Sequence, residues 1–158
     1  LFNAATLSKS AKVNDPKIRL EQMLSELRKQ NFRITPQRHA VLKILAVSDG
    51  HPSVENIYSR VKQDFPTTSL ATVYKTVTLL KEMGEVLELG FSHESSRYDG
   101  NNPQPHPHLI CIRCHKIMDP DIETLTEMSD EISQKTGFEI VNHRLDFFGI
   151  CPECREKG

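Results

Sequence analysis

This 158-residue chain has no apolar run near the roughly 18 residues needed to cross a bilayer. Its opening stretch, Leu1-Phe-Asn-Ala-Ala-Thr-Leu-Ser-Lys-Ser10, is too polar for the apolar region of a secretory signal. The expected location is the cytoplasm, with no membrane partner. A net charge of one sign is also lacking, the balance being only -1. No ordered nucleophile motif or substrate-binding loop is present, so the chain is not expected to be an enzyme. Apolar residues are sparse too. At 37% they suffice for a core, but two small domains of this composition would each want a staple or a partner.

The near-zero charge hides a division. Residues 1–100 carry 14 Lys/Arg against 11 Asp/Glu, whereas residues 101–158 carry 6 against 10. The basic half could meet a polyanion and the acidic half does not suit one.

Cysteine is limited to four residues, and all four fall in two CxxC pairs, Cys111/Cys114 and Cys151/Cys154. In a reducing compartment such pairs point to metal before disulfides. Each turn can direct two sulfurs at one ion, so the expectation is one structural Zn2+ per chain. That ion would clamp the ends of the 36 intervening residues. A thiol–disulfide switch stays open as the alternative, since thiolates released from zinc would be reactive.

Residues 1–14 show little periodicity and read as a flexible arm in which Lys9 and Lys12 could touch phosphate. From Pro16 the pattern is helical, with Leu20, Met23, Leu24 and Leu27 on one face and a stop at Gln30-Asn31. Thr35 reads as an N-cap before Pro36, with Val41, Leu42 and Leu45 as the buried stripe and a stop at Asp49-Gly50. A third helix runs from Ser53 to about Asp64 around Val54, Ile57, Tyr58 and Val61. Ser69 caps a fourth that reaches Met83 and ends at Gly84. Its Val73, Val77 and Leu80 face the other helices, leaving Thr72, Lys75 and Thr76 exposed.

Val86–Leu89 and Ser96–Asp99 then read as a hairpin. Helices followed by such a hairpin describe a winged helix, whose polar fourth helix suits a major groove; an ordinary helical bundle is the bland alternative. The proline-rich residues 101–107 read as a stiff linker. Beyond it come a strand over Leu109–Ile112, a short return at Lys116–Met118, and a helix marked by Ile122, Leu125, Met128 and Ile132. A long strand, Phe138–Ile150, carries Val141, Leu145 and Phe147 on one face. The fold class expected is α+β. An arm (1–14) precedes a winged helix-turn-helix domain (15–100), a linker (101–107) and a small α/β metal-binding dimerisation domain (108–158).

A second candidate site lies beside the first thiolate pair. His106 and His108, two residues apart, share one face of an extended segment, and Asp119 follows the returning strand. Nitrogen and carboxylate donors without thiolate suit Fe2+, Mn2+, Zn2+ or Ni2+, and composition does not choose among them. Surface histidines in a proline-rich linker are the competing reading. His143 reads as a core histidine and His115 as solvated, while His51 and His93 carry no assigned role.

The segments Arg33-Ile-Thr-Pro-Gln-Arg-His-Ala-Val-Leu42, Ala71-Thr-Val-Tyr-Lys-Thr76, Ser95-Ser-Arg-Tyr-Asp99, His106–Cys114 and Phe148–Cys154 stand in one order along the chain. In that order they resemble the ferric uptake regulator family, and most closely its peroxide-sensing repressor branch. The resemblance implies a winged-helix homodimer that represses transcription from palindromic double-stranded operator DNA. It implies structural Zn2+ on the four cysteines and regulatory Fe2+ or Mn2+ on His39, Asp99, His106, His108 and Asp119. It also implies that Fe2+ senses peroxide by oxidising a ligand histidine, His39 or His106. The resemblance puts Arg33, Ser69, Thr72, Tyr74 and Lys75 at the DNA. Asp119 favours the peroxide branch, where iron-responsive members commonly place glutamate. Reversible release of iron, or less readily zinc sensing, is the alternative function.

Overall fold

The computed structural model describes residues 15–48, 50–91, 94–120 and 125–157. The expected arm, Asp49, His93 and Ile122 fall outside the described residues. The chain divides between Pro103 and Gln104 into two compact units.

The N-terminal unit begins with four helices: α1 (Pro16–Lys29), α2 (Pro36–Val47), α3 (Val54–Asp64) and α4 (Leu70–Glu82). Their starts follow from local capping chemistry. Asp15, Thr35, Ser53 and Ser69 each accept a backbone N–H from the first turn of the helix they precede, and proline fills the first position of α1 and α2. Ser53 and Asn56 complete a reciprocal capping box. Gly84 closes α4 with φ 73°, a left-handed conformation that costs glycine little.

The apolar stripes interlock as their spacing predicts. Met23, Leu27, Leu42, Leu45, Ile57, Val73 and Leu80 are 0% exposed. Each such side chain contributes about 1.5–3 kcal/mol through burial. Thr76, expected to be exposed, is buried instead, and its hydroxyl donates to the Thr72 carbonyl at 3.0 Å. The helix's own backbone thus satisfies the polar atom and lets threonine occupy a core position.

Strands β1 (Leu87–Leu89) and β2 (Arg97–Asp99) form the antiparallel hairpin, with Glu88 opposite Tyr98. A buried arginine ties this hairpin to α1. The Arg19 guanidinium donates to the Gly100 carbonyl at 2.6 Å, the Glu85 carbonyl at 2.5 Å and the Glu85 carboxylate at 2.7 Å. Gly100 approaches α2 so closely that a Cβ there would lie 2.7 Å from Leu45 Cβ. Both ends of the wing are fixed to the helical core.

The C-terminal unit holds a three-stranded sheet in the order β4-β3-β5, with β3 (Pro107–Cys111) antiparallel to β4 (Ile117–Met118) and parallel to β5 (Leu145–Gly149). Helices α5 (Leu125–Thr136) and α6 (Pro152–Glu156) complete it. Pro107, expected in the linker, opens β3, a strand position where proline's missing N–H is tolerated. The long strand expected over Phe138–Ile150 forms only at Leu145–Gly149. Residues 138–144 pair with no strand among the described residues, and Val141 is 89% exposed. Alternating apolar residues need a neighbouring strand to become sheet, and β3 reaches only as far as Leu145. His143, expected on that strand, therefore lies outside any element and is half-buried.

Candidate metal centres and nucleic-acid interface

Cys111 ends β3, Cys114 lies in the turn that follows, Cys151 caps α6 and Cys154 lies within it. Their sulfurs all fall within 4.8 Å of one another, and Cys114 Sγ stands 3.7 Å from Cys151 Sγ. A tetrahedral site with Zn–S bonds of about 2.3 Å requires sulfurs about 3.8 Å apart. No disulfide joins any of the four.

The two turns are held face to face by their surroundings. The Arg113 guanidinium donates to the Cys154 carbonyl, and Lys116 pairs with Glu153, each at 2.8 Å. The Cys151 and Cys114 backbone N–H groups lower the Cys111 thiol to about 6, while the Cys151 and Cys114 sulfurs push Cys154 up to about 12. Crowded sulfurs that cannot all ionise alone are relieved by a dication. The donor set is thiolate only and leaves no protein ligand to spare, which fits a closed structural zinc site.

The second donor set in this unit comprises His106, His108 and Asp119. His106 directly precedes β3, His108 is its second residue and Asp119 directly follows β4, so strand pairing brings the three together. Asp119 Oδ2 lies 3.4 Å from His106 Nε2, and Oδ1 lies 3.9 Å from His108 Nε2. The imidazole centroids are 4.4 Å apart. His108 is 1% exposed. A half-exposed carboxylate shared by two imidazoles fits a divalent ion of borderline character.

The N-terminal unit supplies a separate pair, and here the sequence reading needs correction. His39 is exposed on the first turn of α2 and belongs to no potential metal group among the described residues. The histidine beside Asp99 is His51, with Nε2 3.4 Å from Asp99 Oδ2 and the two residues 2% and 4% exposed. The cause is a non-local bond. The outer edge of β2 donates Tyr98 N–H to the Pro52 carbonyl at 3.0 Å, which carries the preceding residue to the end of the strand. His51 adopts φ 48° there, rare for a non-glycine residue and more so before proline. Strain of this kind gathers at functional positions. Asp99 Oδ1 accepts the N–H groups of Asn101 and Asn102 at 2.8 and 2.9 Å, so Oδ2 is the oxygen turned to His51.

The DNA-contact candidates lie at the start of α4 and in the loop before α2. Arg33 precedes the Thr35 cap, Ser69 caps α4, and Thr72, Tyr74 and Lys75 occupy its first two turns; all five are exposed. Tyr74 donates to Glu55 at 3.3 Å, and that carboxylate holds the phenol above its usual range. Polar and basic side chains at the start of an exposed helix suit entry into a major groove.

The family model for the ferric uptake regulator family matches residues 29–148. The peroxide-responsive repressor of Staphylococcus epidermidis is 39% identical over 139 residues, covering 88% of this chain and 92% of that protein. Among solved structures, the ferric uptake regulator of Helicobacter pylori superposes with a TM-score of 0.75 at 25% identity, covering 92% of this chain and 97% of the other. The peroxide stress regulator of Campylobacter jejuni gives a TM-score of 0.67 at 30% identity, covering 85% of this chain and 98% of the other.

Proposed function

The chain belongs to the ferric uptake regulator family, and on that premise we propose that it is a homodimeric, metal-dependent transcriptional repressor whose regulatory ion reports peroxide. The observation that carries this reading is the coexistence of two chemically distinct donor sets, one of thiolates alone and one of imidazoles and a carboxylate. The 39% identity to a peroxide-responsive repressor supports the branch, and so does aspartate at position 119. The thiolates hold zinc for architecture. The regulatory ion, Fe2+ or Mn2+, takes His106, His108 and Asp119, with His51 in place of the expected His39 and with Asp99 as the donors offered by the N-terminal unit.

The proposed donors His106, His108, Asp119, His51 and Asp99 would hold the ion, and ferrous ion, when bound, would supply the redox chemistry that opens the O–O bond of peroxide. The net change would be imidazole plus peroxide giving oxo-imidazole plus water, with peroxide as the two-electron oxidant; His51 or His106 would be the ring that gains oxygen, and an oxidised ring is a poorer ligand. A shell that loses a donor releases its ion, and with it the DNA-competent state that the ion favours. Arg33, Ser69, Thr72, Tyr74 and Lys75 meet a palindromic operator, and their phosphate contacts make affinity fall as salt rises.

The likeness to the Helicobacter pylori ferric uptake regulator favours a second reading, reversible iron sensing. The two are separated by operator binding. Zinc-containing protein is loaded with Fe2+ or Mn2+, treated with a small excess of peroxide, and titrated against operator DNA. Peroxide sensing predicts lost affinity in the Fe2+ sample alone, without recovery on adding fresh Fe2+ anaerobically. Full recovery would favour reversible iron release, and no metal-dependent DNA binding would end both readings.

A further inference from the structure

Each imidazole of the C-terminal donor set has two faces of chemistry, and only one nitrogen of each points toward Asp119. For His106 the other nitrogen, Nδ1, lies 2.7 Å from the Gln104 carbonyl. A carbonyl only accepts, so this contact places the proton on Nδ1 and leaves the lone pair of Nε2 turned to Asp119. His108 is built on the same plan with a different partner. Its Nε2 faces Asp119 Oδ1 at 3.9 Å, while Nδ1 faces Asp146 Oδ1 at 3.4 Å. The two carboxylates therefore stand against opposite nitrogens of one buried ring.

The placement of Asp146 follows from strand register. His108 and Asp146 are direct partners in the parallel β3–β5 pair, so the sheet sets them side by side. Asp146 is held in turn by Arg144, whose Nε and Nη2 approach Oδ2 at 2.7 and 2.6 Å. This leaves Oδ1 for the imidazole. The guanidinium also opposes movement of Asp146 toward a cation, because the carboxylate would have to leave its partner. Asp146 is 12% exposed, shielded enough for its charge to act on the ring at short range.

We propose that Asp146, fixed by Arg144, is a positioning residue that holds His108 in the Nδ1–H tautomer and so presents the Nε2 lone pair to the regulatory ion. A metal-bound histidine whose second nitrogen meets a carboxylate is both oriented and made more basic, and loss of such a partner typically weakens metal binding about 10–100-fold. The proposal rests on the reading of His108 as a ligand.

The test uses the zinc-containing dimer of the full chain with histidine-selective 15N labelling. Side-chain nitrogen shifts identify the His108 tautomer before regulatory metal is added, and competition titration then gives the Mn2+ affinity. The wild type is expected to show Nδ1–H at His108. D146A should populate the other tautomer and weaken Mn2+ about 10–100-fold, with zinc content and dimer mass unchanged; R144A should move both readouts less. If D146A does not fold, D146N, which keeps an acceptor oxygen and loses the charge, must shift both readouts in the same direction. An Nε2–H tautomer in the wild type, or unchanged tautomer and affinity in the folded Asp146 variant, would overturn the proposal. H108A supplies the distinction from the underlying reading. Wild-type Mn2+ affinity in H108A would overturn His108 as a ligand and the proposal with it, whereas loss of the ion in H108A beside an unaffected D146A would overturn only the positioning role.

Discussion

The two units of this chain bury their apolar residues to very different extents. In the N-terminal unit, Met23, Leu42, Ile57 and Leu80 are all 0% exposed, each on a different helix. In the C-terminal unit, Phe148 is 65%, Phe147 46% and Met118 45% exposed, and these sit on the strands of the sheet itself. A unit whose core is closed can act as a rigid reader of DNA. The other, stapled by four thiolates and still presenting an apolar sheet surface, depends on what it binds. Metal and a second copy of the chain are then folding partners as much as ligands, so a chemical event at a ligand can reach the assembly.

This contrast can be broken most severely by removing zinc. Cys114→Ser, or exhaustive chelation, should abolish the dimer and the cooperative fold of residues 104–157, since structural zinc supplies about 10–16 kcal/mol in small metal-stapled domains. Hydrogen exchange on the same sample should still show protected amides in α1–α4, and their loss would mean that the N-terminal core is not self-sufficient. Next in size, Leu42→Ala should destabilise the N-terminal unit by about 2–5 kcal/mol. Thermal unfolding measures the loss, and zinc content measured by mass spectrometry should remain that of the wild type. Phe148→Ser should leave the N-terminal transition unmoved and weaken the dimer by about 1–3 kcal/mol, visible in sedimentation as a raised dissociation constant. The smallest effect is expected for Ser53→Ala. Loss of the capping box at α3 should cost about 1 kcal/mol, detectable in chemical denaturation but without effect on metal content.

The same contrast explains what could be read from the sequence. Thr35 and Ser69 were legible as caps because the bond each makes is to a residue three positions on. The four cysteines were legible because each CxxC pair is a local turn, and the ferric uptake family resemblance agrees with the family match. His51 was missed because its burial depends on the bond from Tyr98 N–H to Pro52, across 46 residues of chain. Nothing in the dipeptide His51-Pro52 announces that bond, whereas His39 stands inside a conspicuous motif and drew the assignment. Arg19 was missed for the same reason, since a cation in an apolar stripe is recognisable as buried only when Glu85 and Gly100 are seen around it. Residues 138–144 misled in the opposite way. Their alternation describes a strand, but alternation supplies only one side of a ladder, and of the stretch 138–150 β3 pairs only with residues 145–149.

The central claim is that peroxide is read by oxidation of an imidazole ligand and that the structural thiolates stay intact. Peptide mass mapping of the zinc-containing dimer after peroxide treatment, with Fe2+ or Mn2+ loaded, tests it most directly. The expected result is the mass of one added oxygen atom on the peptide containing His51 or His106, in the Fe2+ sample and not the Mn2+ sample, with Cys111, Cys114, Cys151 and Cys154 unmodified. Lost operator binding with unmodified histidines, accompanied by disulfides or oxygen on the cysteines, would contradict it and assign the response to the zinc site.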